Sequence, residues 1–62
     1  PYSKAEPLLL EAFHGREDKL GPGHPHTLET VKQLVGLYDA WDKPGKADLW
    51  RAKLPVEENA VE

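Results

Sequence analysis

Two short stretches that begin 42 residues apart, Tyr2-Ser3-Lys4-Ala5 and Pro44-Gly45-Lys46-Ala47, read alike, and each opens a segment of periodic apolar residues. Between them lies Leu20-Gly21-Pro22-Gly23-His24-Pro25, a cluster too rich in glycine and proline to belong to a helix interior. A repeat of about 20 to 50 residues built from helix, turn and helix is typical of a stacked helical array. Such an array presents a binding surface rather than a reaction centre.

Three segments of the chain have apolar residues at intervals of three and four, which predicts amphipathic helices. We expect these helices at about residues 3–20, 26–41 and 44–54. Because short links force consecutive helices to lie antiparallel, the predicted fold is all-α: an antiparallel helix-turn-helix with a third helix stacked on it. One domain is expected over residues 1–55, followed by an acidic, disordered tail over residues 56–62.

Local signals predict how each helix begins and ends. The predicted N-caps are, in order along the chain, Ser3, then His26 or Thr27, then Asp42. Pro7 predicts a slight bend or a late start of the first helix, because it lacks a backbone donor. Gly21 is expected to end that helix in a left-handed conformation, with Pro22 preventing its continuation.

Composition limits the classes of partner. A net charge of −3 at pH 7 argues against nucleic acid, because phosphate binding requires a surplus of lysine and arginine on one face. No apolar run approaches the roughly 18 residues that span a bilayer, and no signal peptide is evident, so no membrane partner is expected. The lack of cysteine fits a cytoplasmic location, and the lack of methionine leads us to expect a fragment of a larger protein.

Four stretches share a pattern: Tyr2-Ser-Lys-Ala-Glu-Pro-Leu-Leu-Leu-Glu-Ala12, Leu20-Gly-Pro-Gly-His-Pro-His-Thr27-Leu28, Leu34-Val-Gly-Leu-Tyr38-Asp-Ala40 and Lys46-Ala47. The pattern resembles tetratricopeptide repeats of the long, kinesin-light-chain-like kind, in which a Gly-Pro-x-His-Pro-x-Thr turn joins successive repeats. The resemblance covers residues 2 to about 54. It implies about one and a half repeats, in which the first helix closes one repeat and the other two form the next.

The resemblance also assigns packing roles. It implies small side chains at Ala5 and Ala47, where helices approach closely, and large core side chains at Leu34 and Tyr38. Asp42 stands where the family usually has a turn glycine. Departures of this kind, together with the acidic tail, lead us to expect the end of an array, where outward faces become polar.

The polar side of the second helix is the candidate binding site. Its residues, spaced three, one, three and three apart, are Glu29, Lys32, Gln33, Gly36 and Asp39. In tetratricopeptide arrays this face lines the concave groove that holds a peptide, so the resemblance implies partner contacts here. An ordinary solvated face is the alternative. Kinesin-light-chain-like repeats often carry asparagines where this chain has Lys32 and Gln33, so the same mode of peptide capture is not implied.

The residues give little support for metal binding, catalysis or base stacking. Three histidines, His14, His24 and His26, lack a cysteine or acidic partner at a metal-ligand spacing, so no metal site is predicted. The carboxylates at Glu29, Asp39, Asp42 and Asp48 lack the buried cleft that acid–base catalysis requires, and no nucleophile or phosphate-binding motif is present. Neither catalytic residues nor cofactors are predicted. The aromatic residues Tyr38, Trp41 and Trp50 have helical spacing and are interpreted as core rather than as a stacking platform.

The predicted function is a non-enzymatic scaffold module that binds a protein or peptide partner. Two alternatives stay open: a capping end of a solenoid with no ligand of its own, and a non-catalytic repeat region of a larger signalling enzyme. Because a single repeat does not bury its own apolar face, we expect the chain either to self-associate or to be only marginally folded alone. The residues expected to mediate self-association are Leu8, Leu9, Phe13 and Trp50.

Overall fold

The computed structural model describes residues 1–55, which form three helices joined by short turns. Helix α1 spans Tyr2–Leu20, helix α2 spans Pro25–Ala40 and helix α3 spans Pro44–Arg51. Residues 1–55 contain no strand, so the predicted all-α class is confirmed. Helix α2 packs against both α1 and α3, and the short links make each pair of neighbours antiparallel. The acidic tail predicted for residues 56–62 lies outside the described residues.

Helix α1 begins earlier than predicted. The carbonyl of Pro1 accepts hydrogen bonds from the amides of Lys4 and Ala5, at 3.2 and 3.3 Å. Pro1 is therefore the N-cap, and the prediction that Ser3 caps this helix is wrong. Pro7 lies inside the helix and does not delay its start. Its missing amide removes one helical bond, the one to the carbonyl of Ser3, which belongs to an exposed residue and can bond water instead.

Helix α2 is capped by a side chain that the sequence did not single out. The Nδ1 atom of His24 accepts a hydrogen bond from the amide of His26 at 3.1 Å, and Pro25 occupies the first turn. The predicted caps, His26 and Thr27, lie inside the helix and are wrong. A neutral imidazole nitrogen can satisfy an orphan amide much as a serine or aspartate oxygen does.

The two turns use backbone conformations that few residues adopt. Gly21 follows α1 with φ 97° and ψ 157°. The positive φ agrees with the predicted helix-ending role, but the value of ψ puts the residue in an extended region that essentially only glycine occupies, not in the left-handed helical region. Asp42 has a positive φ of 60°, a conformation that aspartate adopts more readily than most residues other than glycine. This conformation lets the amide of Lys43 bond the carbonyl of Tyr38 at 2.8 Å. Asp42 is not the cap of α3, because Lys43 flanks that helix and supplies no side-chain bond.

Helix α3 ends at Arg51, three residues before the predicted end at residue 54. The amides of Lys53 and Leu54 instead make tight turn bonds, each reaching back three residues, at 3.0 Å. Pro55 disfavours a helical conformation at Leu54, the residue before it, so the helix does not reach the predicted end.

The core is supplied mainly by α2. The buried apolar residues of this core are Phe13 of α1, then Val31, Leu34, Val35 and Tyr38 of α2, and Ala47 of α3. The predicted core roles of Leu34 and Tyr38 are confirmed, and Ala47 is fully buried at the predicted close approach between helices.

Three of the residues expected to mediate self-association pack inside the protomer instead. Phe13 is buried, and the half-buried Leu9 and Trp50 pack against the same core. Sequence reasoning placed these apolar side chains on helical stripes but could not show that Trp50 of α3 meets the ring of Phe13 of α1. Of the four residues, Leu8 alone is exposed.

Candidate partner-binding surface

All five predicted contact residues lie on one exposed face of α2. We call this face the α2 surface; it consists of Glu29, Lys32, Gln33, Gly36 and Asp39. It lies opposite the buried stripe that contains Val31 and Leu34, since residues three and four apart share one side of a helix. The sequence thus places the polar side of α2 correctly. Whether these residues bind a partner is a separate matter of function.

Two members of the α2 surface are held by ion pairs with the flanking helices. Asp39 Oδ2 lies 2.9 Å from Arg51 Nη2 of α3, and Arg51 also pairs with Asp48 at 2.8 Å. Glu29 Oε1 lies 3.8 Å from Arg16 Nη1 of α1. Exposed pairs of this kind stabilise a fold by less than about 1 kcal/mol, so their main effect is to give Glu29 and Asp39 partners of opposite charge at the two margins of the surface.

Lys32, in the middle of the α2 surface, carries a positive charge. Within residues 1–55 the structure gives Lys32 no ion-pair partner. Beside it the amide of Gln33 is exposed and can both donate and accept hydrogen bonds. Among the described residues, an ammonium group without an ion-pair partner and an exposed amide therefore lie between two ion-paired carboxylates.

Sequence reasoning missed Arg16, which fixes the start of α2. Its Nη1 donates to the carbonyl of His26 at 2.8 Å and to Thr30 Oγ1 at 2.9 Å. Thr30 is fully buried and donates in turn to His26, at 3.2 Å. Arg16 follows the apolar stripe of α1, but only the packing of two helices reveals its partners.

Gly36 is the residue of the α2 surface that the fold least explains. It lies in the interior of α2, and a Cβ atom added to it would meet no atom within 4 Å. Glycine inside a helix costs about 1 kcal/mol relative to alanine. Within residues 1–55, no close approach of backbone or side chain offsets that cost.

A cluster of three polar side chains, one from each helix, joins α1, α2 and α3. Tyr38 of α2 donates its hydroxyl proton to Glu6 Oε2 of α1 at 2.7 Å, and Lys46 Nζ of α3 lies 3.5 Å from the same oxygen. The hydrogen bond from Tyr38 lowers the pKa of Glu6 from its ordinary value. Burial, followed by the bond to Glu6, raises the pKa of Tyr38 to about 12.

The cluster should make stability depend on pH. Because the pKa of Glu6 is lowered on folding, its contribution is present above pH 4.5, its ordinary pKa, and is lost as the pH falls through the folded pKa. Because the pKa of Tyr38 is raised, its contribution is present below pH 10.0 and is lost as the pH rises towards about 12.

The replacement Tyr38→Phe should therefore lower the free energy of unfolding most at pH values between these two limits. Urea unfolding of both chains across a pH series should give a constant difference from about pH 5 to pH 10, and a smaller difference outside that range. A difference between the two chains that stays the same from pH 3 to pH 7 would contradict a charged Glu6 acceptor.

The aromatic side chains have neighbours from their own chain. The ring of Trp41 stacks on Tyr38 with centroids 6.3 Å apart and lies 5.9 Å from Tyr2, while Lys43 Nζ stands 4.7 Å from its centroid. Trp50 meets the ring of Phe13 edge to face at 4.9 Å. These contacts favour a packing role, and the core interpretation of Tyr38 is confirmed by its burial.

No catalytic or metal-binding arrangement is evident in the part of the chain that the structure describes. Residues 1–55 hold no group of three or more histidine, cysteine or acidic side chains that could bind a metal ion. The imidazole of His24 already caps α2. The four carboxylates considered above, Glu29, Asp39, Asp42 and Asp48, are all exposed rather than gathered in a cleft.

Two further findings bear on the class of protein. None of the three described helices has the length and apolar character needed to cross a membrane. Comparisons with protein-family models, with curated proteins and with solved structures each gave no match.

Proposed function

We propose that this chain is a segment of a helical-repeat scaffold, of the tetratricopeptide kind, that binds a protein or peptide partner across the α2 surface. The alternation of three antiparallel helices and the 42-residue spacing of similar stretches support this proposal. The module acts by binding rather than by catalysis and uses no cofactor. A cytoplasmic location belongs to the same proposal and rests on the absence of cysteine.

The observation that carries the proposal is Gly36. An exposed glycine in the interior of the most buried helix lowers stability, and no neighbour within residues 1–55 requires it. A partner backbone that crosses the helix at this point would require it, because a side chain there would hold the partner away.

The neighbouring residues fit an extended peptide. The amide of Gln33 can exchange hydrogen bonds with a peptide group, and Lys32 can bind a carbonyl or carboxylate oxygen. The ion pairs of Glu29 with Arg16 and of Asp39 with Arg51 mark the two margins of the path.

The direct test uses peptides selected from a random display library on the immobilised chain. Replacement Gly36→Ala should raise the free energy of unfolding by about 1 kcal/mol and yet weaken the selected peptides, because stability and binding make opposite demands at this residue. Lys32→Glu should weaken the same peptides without changing stability. Both effects are measured by urea unfolding and by calorimetric titration.

A matched control separates binding from helix propensity. Gly15 is an exposed glycine in the interior of α1, and an added Cβ would meet no atom within 4 Å there; Gly15→Ala should raise the free energy of unfolding by about 1 kcal/mol while leaving peptide affinity unchanged. Asp39→Lys is a poorer probe, because it also removes the ion pair with Arg51. Peptides whose affinity is the same for the original chain, Gly36→Ala and Lys32→Glu would leave only an ordinary solvated face.

A further inference from the structure

The side chain that caps α2 belongs to the residue type that changes its charge near neutral pH. The Nδ1 atom of His24 accepts a hydrogen bond from the amide of His26 at 3.1 Å, and a ring nitrogen accepts only while it carries no proton. His24 is only partly buried, so protons from solvent can reach it. Histidine ordinarily changes its charge between about pH 5 and pH 8. The observed cap therefore requires the neutral form of His24.

Among residues 1–55, the amide of His26 has no hydrogen-bond acceptor other than this imidazole nitrogen. Pro25, the residue before it, has no amide to share the turn. The backbone of His24 is already engaged, because its amide donates to the carbonyl of Gly21 at 3.3 Å and its carbonyl accepts from Leu28 at 2.9 Å. The first turn of α2 also lacks an acidic residue. Loss of the imidazole acceptor would therefore leave this end of α2 without a side-chain cap.

The charged groups around the cap oppose a proton on His24. The ring of His26 meets that of His24 edge to face, with centroids 5.2 Å apart. From α1, the guanidinium of Arg16 donates to the carbonyl of His26 at 2.8 Å, which places a permanent positive charge at the same turn. Glu29, the carboxylate beside it, is already paired with Arg16 at 3.8 Å. In the part of the chain that the structure describes, no acidic side chain of α1 or α3 bonds His24.

We propose that His24 is a pH-sensitive cap at the junction of α1 and α2. The neutral imidazole holds the amide of His26. When Nδ1 takes up a proton, its N–H faces the N–H of His26, the hydrogen bond is lost, and a positive charge lies at the positive end of the helix. The folded chain thus fits the neutral form better than the protonated form. Its stability should be complete above the titration range of histidine and should decrease as the pH falls through that range.

Urea unfolding at pH 8 and at pH 5 tests this proposal. Between these two pH values the equilibrium constant for unfolding of the original chain should rise about fivefold, which is the usual effect of losing one helix N-cap. Both values lie above 4.5, the ordinary pKa of Glu6, so the carboxylate that bonds Tyr38 contributes little to the change.

Variants of the three histidines assign the effect. His24→Asn is the matched variant, because an asparagine oxygen also caps a helix and does not titrate, and its unfolding constant should change by less than about twofold. His24→Ala has no cap at either pH. Its unfolding constant should exceed that of the original chain about fivefold at pH 8 and should equal it at pH 5. His14→Gln and His26→Gln should retain the pH dependence of the original chain.

The amide proton of His26 gives a local measurement in the folded chain by NMR. Its resonance should move upfield as the pH falls from about 8 to 5, because it loses its hydrogen bond, and it should keep its position in His24→Asn. An equal pH dependence of unfolding in the original chain and in His24→Asn would overturn the inference. A His26 amide resonance that stays in place while the imidazole of His24 titrates would overturn it as well.

Discussion

Replacement Phe13→Ala should unfold most of the molecules at 25 °C. Phe13 is buried, and its ring meets Trp50 of α3 edge to face at 4.9 Å, so it joins the two helices that flank α2. Removal of a buried phenyl ring costs about 3–5 kcal/mol. The core of a domain below about 70–80 residues rarely supplies more than about 3–5 kcal/mol, so the loss is comparable to the whole stability.

Circular dichroism and the combined fluorescence of Trp41 and Trp50 measure this loss independently. The variant should lose helix signal, and tryptophan emission should shift to longer wavelength as the ring enters water. Leu49→Ala is the control at low micromolar concentration, because its exposed side chain should change the free energy of unfolding by no more than about 0.5 kcal/mol. If Phe13→Ala melts as the original chain does, α3 does not cover α1 through this ring.

Replacement Leu34→Ala should be nearly as damaging, for a different reason. Leu34 is fully buried in the middle of α2, the helix that contacts both neighbours. The lost transfer free energy and the remaining cavity together cost about 2–5 kcal/mol. The midpoint of urea unfolding should fall sharply, or the transition should lose its cooperativity.

A conservative variant distinguishes the loss of volume from intolerance of any change at this position. Leu34→Met keeps most of the side-chain volume and should cost less than about 1.5 kcal/mol. Equal losses for Leu34→Ala and Leu34→Met would indicate a site intolerant of any change. No loss for Leu34→Ala would mean that the side chain is not packed between the helices.

The helices themselves were predictable because periodicity acts through local geometry. All three were placed from apolar spacing, and Gly21 was assigned its turn role because few other residues adopt its conformation. The errors lie at the ends. The end of α3 was set too late because the effect of Pro55 on Leu54 was not weighed, and the cap by His24 was missed because histidine is an uncommon cap.

The position of the α2 surface could be predicted from the sequence, but the ion pairs of its charged residues could not. That Gln33 and Gly36 face solvent follows from helical periodicity alone. That Glu29 and Asp39 are paired does not, because Arg16 and Arg51 reach them from other helices. The cluster of Tyr38 with Glu6 and Lys46 was missed for the same reason: it unites residues far apart in sequence.

The arrangement of α1, α2 and α3 is tested most directly by proton NMR of the chain. Phe13 is the only phenylalanine, so its ring protons are easily assigned. The account predicts nuclear Overhauser effects between the rings of Phe13 and Trp50, and between those of Tyr2 and Trp41. A well-dispersed spectrum of a folded chain that lacks both sets of effects would contradict the packing from which every proposal here is derived.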